Sequence, residues 1–129
     1  MDARRLKRLT KLVQVQRQIQ ALHETRHANH LASANAADRE ALELVERFDS
    51  GTAMSSLFPE LYHQRISRAF ATRDEQQDLA AREATHIISA TLRADKTDKA
   101  RREMGKVLDE KTEERQRLDL AARGSPRSK

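Results

Sequence analysis

The stretch FDSGTAMSSLFPELY, residues 48–62, is the one convincing break in a chain of 129 residues. Gly51 sits where a helix C′ residue belongs, a position that favours the left-handed backbone glycine adopts without penalty. Ser50, Thr52, Ser55 and Ser56 favour turns and caps, because their hydroxyls compete for nearby backbone groups. Pro59 suits the first turn of a new helix, and Glu60 behind it suits the positive end of that helix's dipole. One helix therefore ends near residue 49 and another begins at 59.

Upstream, nothing from Arg4 to Phe48 interrupts a helix. Apolar residues recur at Leu9, Leu12, Val13 or Val15, Ile19 and Leu22, spacings of three and four that mark one helical face. A second set follows at Leu31, Ala34, Ala41, Val45 and Phe48, with Asp38 at the intervening position. Between the two sets the phase slips, and His23, His27 and His30 fill the seam. A slip of this kind changes the local supercoil.

Downstream, Ile66, Phe70, Arg73, Gln77, Ala80, Ala84, Ile87 and Thr91 follow heptad spacing in a seam with polar members. It re-forms less clearly at Met104, Val107 or Leu108, Lys111, Leu118 and Ala121. Gly105 lies inside this helix at a cost of about 1 kcal/mol against Ala. Two helices of similar length around a mid-chain break predict an all-α fold, a long two-helix antiparallel coiled-coil hairpin. Residues 1–123 would form it, with helix 1 at about 4–49, a tip loop at 50–58 and helix 2 at about 59–122. Residues 124–129, after Gly124-Ser125-Pro126, are expected to be a disordered tail. A parallel coiled-coil homodimer is the rival architecture, and a monomer is the expected state.

Composition agrees. Charged residues make up 35% of the chain and aromatics 3%, with 3 Gly, 2 Pro and no Cys. That excludes disulfides and thiolate metal sites, and it leaves little for a large buried core. No apolar run approaches the roughly 18 residues of a membrane span, so a soluble cytoplasmic protein is expected.

Residues 23–30, HETRHANH, raise the one catalytic possibility. His23-Glu24-Thr25-Arg26-His27 fits H-E-x-x-H, which sets two imidazoles one helical turn apart beside a glutamate, as in many zinc proteases. A third ligand is missing. The longer pattern H-E-x-x-H-x-x-G-x-x-H meets His30 at its glycine place and Ser33 at its last. Glu43 and Glu46 fall on the same continuous helix, roughly 25–30 Å away. His23, His27 and His30 retain i, i+4, i+7 spacing for weak metal binding, but the expected reading is either a polar layer that fixes register between helices or a set of partly solvated imidazoles. No metal, cofactor or enzymatic activity is expected. Nucleophile elbows, P-loops and dinucleotide fingerprints are all lacking.

The net charge of +5 is uneven. Residues 1–30 hold seven Lys/Arg (Arg4, Arg5, Lys7, Arg8, Lys11, Arg17, Arg26) against Asp2 and Glu24, and residues 115–129 hold five against Asp119. A hairpin would bring these basic ends together. They are read as plain solvation, as a match for an acidic protein surface or, as the lesser alternative, as a nucleic-acid contact. No aromatic is interleaved to stack bases, so no nucleic acid is expected. All four aromatics, Phe48, Phe58, Tyr62 and Phe70, cluster around the break with Met54, Leu57 and Leu61. They would close the hairpin tip, expose a docking patch, or divide between the two roles.

The start, Arg5-Leu6-Lys7-Arg8-Leu9-Thr10-Lys11-Leu12-Val13, resembles the basic, leucine-spaced opening of the FliJ/YscO family of type III export coiled-coil proteins. Leu61-Tyr62-His63-Gln64-Arg65-Ile66 resembles the beginning of that family's second helix. Arg101-Arg102-Glu103 through Leu108-Asp109-Glu110-Lys111 resembles its closing helix. The resemblance implies a cytoplasmic, membrane-peripheral stalk or adaptor of a flagellar or virulence export apparatus. Its partners would be the export ATPase, a membrane export gate protein and export chaperones. By analogy, Arg4, Arg5, Lys7, Arg8, Lys11, Arg115 and Arg117 would meet the ATPase ring. Leu42, Val45, Phe48, Phe58, Tyr62, Ile66 and Phe70 would meet the gate or another partner near the tip. The alternative is a generic coiled-coil scaffold or a nucleic-acid-associated basic protein.

Overall fold

Good helix formers on both sides of a single break leave one local outcome. A computed structural model describes residues 1–51 and 53–124. It is all-α, with α1 at Asp2–Asp49, α2 at Ala53–Leu57 and α3 at Pro59–Gly124, and no strand among the described residues. Gly124 closes α3, and the rest of the expected tail lies outside the described residues, as does Thr52.

The turn follows its residue chemistry. Gly51 has φ +66°. Its N–H donates to the Phe48 carbonyl at 3.4 Å, the 5→2 bond of a glycine-capped helix end. The Ser50 hydroxyl donates to the Arg47 carbonyl at 2.8 Å. Pro59 opens α3, with Glu60 in its first turn. The segment 50–58 is not wholly loop, however, because Ala53–Leu57 forms one turn of helix. The Phe58 N–H donates to the Met54 carbonyl at 3.0 Å, and the Tyr62 N–H to the Phe58 carbonyl at 3.3 Å. These i→i−4 bonds carry helical geometry across the α2–α3 joint. Pro59 tolerates this because a first-turn residue needs no N–H.

The chain divides into two units, Met1–Gln18 with Ala90–Lys129, and Ile19–Ser89. In the Ile19–Ser89 unit, α1 turns Gln20, His23, His27, His30, Ala34, Ala37, Ala41, Leu44 and Phe48 inward, at unbroken spacings of three and four. Its α3 segment turns in Tyr62, Ile66, Ala69, Arg73, Gln76, Ala80, Glu83 and Ile87 on the same repeat. Ala34, Ala37, Ala41, Leu44, Ala69 and Ala80 are buried. Alanine at these positions lets two backbones approach closely, but each buries little apolar surface, roughly 25 cal/mol for every Å². At the turn, Phe48 tilts against Tyr62 and His63, with ring centroids 6.2 and 4.9 Å apart.

In the other unit, Leu6, Leu9, Val13 and Gln16 are inward and half-buried on α1. Ala90 and Ala94 are buried on α3, and Thr97, Arg101, Met104 and Leu108 continue their row. Asp2 accepts an ion pair from Lys111, and Arg17 pairs with Asp95 at 2.8 Å.

These rows correct the expected seams. There is no phase slip at the histidines, because a single seven-residue repeat runs through them. Leu12, Val15, Ile19 and Leu22 are not in the seam; they are 44–49% exposed on another face of α1. Leu31 is exposed too. In α3 the row through Ile66, Arg73, Ala80 and Ile87 is inward as expected. Its companion row is Ala69, Gln76, Glu83 and Ala90, one residue before the expected Phe70, Gln77, Ala84 and Thr91. Phe70, Ala84 and Thr91 are half-buried beside that row and Gln77 is exposed; hydrophobicity alone favours them because Gln76 and Glu83 are polar. Finally, Lys111, Leu118 and Ala121 form no seam. Beyond the Lys111–Asp2 ion pair, residues 112–124 are all exposed.

Candidate functional site

The three histidines of α1 face polar partners on α3. His23 Nδ1 donates to Glu83 Oε2 at 2.6 Å, with both side chains largely buried. An ionised carboxylate can only accept, so the His23 proton sits on Nδ1. This bond first, with the neighbouring His23 and His86 rings and the Arg26 guanidinium, holds the Glu83 carboxyl below its ordinary range against the opposing effect of burial. His86 stacks on His23 with centroids 5.0 Å apart. His30 Nδ1 donates to Gln76 Oε1 at 2.7 Å, and His27 is half-buried between them in sequence. Each imidazole of the two outer histidines thus spends a ring nitrogen on α3. No three His, Asp or Glu side chains among the described residues converge to hold a metal ion. Glu24, the general base of the protease pattern, instead accepts from Gln20 at 3.1 Å on the exposed surface. The arrangement is a register-setting polar layer.

A second polar node lies at Asp38. Arg73 donates to Asp38 at 3.1 Å and to Asp74 at 2.9 and 3.0 Å, while its guanidinium lies 4.7 Å from the Phe70 ring centroid. The Asp38 bond first, then the Asp74 bond, raises the Arg73 pKa further.

The basic start of α1 resolves into faces. Arg4, Lys7, Arg8 and Lys11 line one shallow groove with Met1, at i, i+3, i+4, i+7 spacing. That face is opposite the one carrying Leu6, Leu9 and Val13. None of the four has an ion-pair partner among the described residues. Arg5 is exposed but falls outside the groove. Arg115 and Arg117 lie on the uncovered end of α3; Arg117 pairs weakly with Glu113 at 3.7 Å, while Arg115 shares a groove with Lys111, Glu114 and Leu118. By sequence, the unit built from Met1–Gln18 and Ala90–Lys129 carries 18 Lys/Arg against 9 Asp/Glu, a net +9. The Ile19–Ser89 unit carries 7 against 11, a net −4.

The apolar residues near the turn divide between the two expected roles. Val45, Phe48, Tyr62, Ile66 and Phe70 are half-buried in contact with their own unit and are poor docking candidates. Leu42 and Phe58 are exposed, as the partner reading requires. Met54, Leu57 and Leu61 are exposed as well. They belong to the apolar cluster around the break that the sequence offers as a docking patch.

No protein-family profile matches this chain, and no curated protein or solved structure matches it either. No helix among the described residues is long and apolar enough to cross a membrane.

Proposed function

We propose that this protein is a non-enzymatic stalk or adaptor of a type III protein-export apparatus. In this reading α1 and α3 are the arms of an antiparallel two-helix hairpin, monomeric, cytoplasmic and peripheral to the membrane. The descending order of α3 partners supports that pairing. It runs Lys111 for Asp2 and Asp95 for Arg17 in one unit, then Glu83 for His23, Gln76 for His30, Arg73 for Asp38 and Tyr62 for Phe48 in the other.

The unpaired face of Arg4, Lys7, Arg8 and Lys11 carries the reading. Cations with no carboxylate partner among the described residues are available to an acidic surface, and such surfaces raise association rates in a salt-dependent way. The export ATPase ring is the assigned partner of this face, and the gate protein or a chaperone is assigned to the exposed apolar turn. Titrating the purified protein into the export ATPase of the same cell tests this. Saturable stimulation with ring assembly is expected, weakened by salt and by Arg4→Ala/Lys7→Ala/Arg8→Ala/Lys11→Ala. Binding unchanged in that quadruple variant removes the assignment. The same cations also suit a nucleic-acid-associated scaffold. A mobility shift with duplex DNA at physiological salt, without ATPase stimulation, would select that alternative.

A further inference from the structure

Met54, Leu57, Phe58 and Leu61 stand at i, i+3, i+4 and i+7. The two i→i−4 hydrogen bonds across the α2–α3 joint keep that stretch on a helical path, so the spacing places all four side chains on one ridge. Their exposures are 58, 70, 50 and 42%. Ser55 and Tyr62, about 90° around the same path, are buried and half-buried respectively. The path is thus anchored to its unit by one side and presents another to solvent. Four adjoining large apolar side chains, one aromatic and one methionine, form the kind of patch that marks an interaction site.

The spacing matches recognition in which an amphipathic helix lays anchors at these intervals into an apolar groove. We propose that this ridge docks into a partner protein that offers an apolar groove with a neutral or basic rim. The surrounding charge selects that occupant. No Lys or Arg occurs between Arg47 and Arg65, and the only formal charges there are Asp49 and Glu60. An anionic bilayer surface would repel this stretch, since interfacial helices rely on basic residues around their apolar face. A second copy is a poor seat, because two copies docked face to face would oppose their own Asp49 and Glu60 carboxylates with no Lys or Arg between them. The inference rests on the turn reading given above and commits it to a binding mode, independently of the ATPase contact.

The photo-reactive residue p-benzoylphenylalanine, placed singly at positions 54, 56, 57, 58, 60 and 61 of the full-length protein in its own cell, tests it. The expected result is one discrete protein adduct at 54, 57, 58 and 61. Its yield should be about tenfold lower at 56, on the far side of the path, and intermediate at 60, on its flank. The adduct at 54 or 61 should vanish in Leu57→Glu/Phe58→Glu, whose exposed positions leave helicity by circular dichroism unchanged. Equal yields at all six positions, no adduct, a lipid adduct or a crosslinked second copy would each overturn the proposal. ATPase stimulation measured on the same Leu57→Glu/Phe58→Glu protein separates the two ideas. It stays at the wild-type level if the basic face acts alone, and its absence from the wild type defeats only the ATPase reading.

Discussion

Within the Ile19–Ser89 unit, two stretches of the same helices solve one packing problem in opposite ways. From Ala34 to Leu44, α1 faces α3 mostly with small apolar side chains, and six apolar positions across the unit are buried. From Gln20 to His30 it faces α3 with amides and imidazoles, and none is fully buried. The first stretch draws its stability from close apposition and tolerates no added polar group. The second draws on directional bonds such as His23 to Glu83 and His30 to Gln76, which contribute less net stability but dictate which residue meets which. Apolar packing tells two helices to meet, while a paired polar layer tells them in what register.

The most severe way to break the apolar stretch is Ala41→Asp. Ala41 is 0% exposed, and a carboxylate there has no partner, so a loss of about 3 kcal/mol or more in urea unfolding is expected. Leu44→Ala comes next, at about 2–3 kcal/mol, through lost burial and a residual cavity. His23→Ala is expected to cost less than Leu44→Ala, since only one directional bond and a stacking contact are lost. A sharper comparison is His23→Leu/Glu83→Leu, which removes both partners together. It should be more stable than His23→Ala alone and looser in register, seen as broadened amide NMR signals for residues 20–30. If the double variant is the less stable one, the polar layer contributes more than register.

Acid separates the stretches as well. The His23 bond lowers the Glu83 carboxyl pKa below its ordinary value of 4.5. A carboxyl depressed in the folded state contributes stability that is present above its unfolded pKa and lost as pH falls through the folded one. Melting followed by circular dichroism should therefore show the wild type losing stability below about pH 4.5, with a shallower slope in Glu83→Gln. The smallest effect belongs to Asp74→Asn, at the Arg73 node that meets Asp38 within the apolar stretch. Asp74 is exposed and Arg73 keeps Asp38, so a change within about 0.5 kcal/mol is expected.

The histidine layer is legible in the sequence, because three imidazoles at helical spacing fit a seam better than a protease lacking its third ligand. Its partners are not. Gln76 and Glu83 look like solvated residues when hydrophobicity is the guide, so the neighbouring Gln77 and Ala84 draw the seam one residue away. Leu12, Val15, Ile19 and Leu22 mislead in the same manner: their spacing is a sound helical stripe, but a stripe does not say which of two faces meets the other helix. The basic cluster is legible as charge, whereas its division into the groove of Arg4, Lys7, Arg8 and Lys11 with Arg5 outside requires the helix phase. Near the turn, the aromatic residues are visible and their partition is not, because Phe48 and Tyr62 become half-buried only on packing against each other within their unit.

The residues on their own dictate local structure. Helix formers without interruption, Gly51 with its left-handed backbone and Pro59 at a first turn specify where helices stop and start, since those preferences act over a few bonds. Which face of each helix lies inside is settled only by packing. That choice depends on the joint match of two surfaces, Ala against Ala and His against Glu or Gln. Neither helix carries that information in its own hydrophobic pattern.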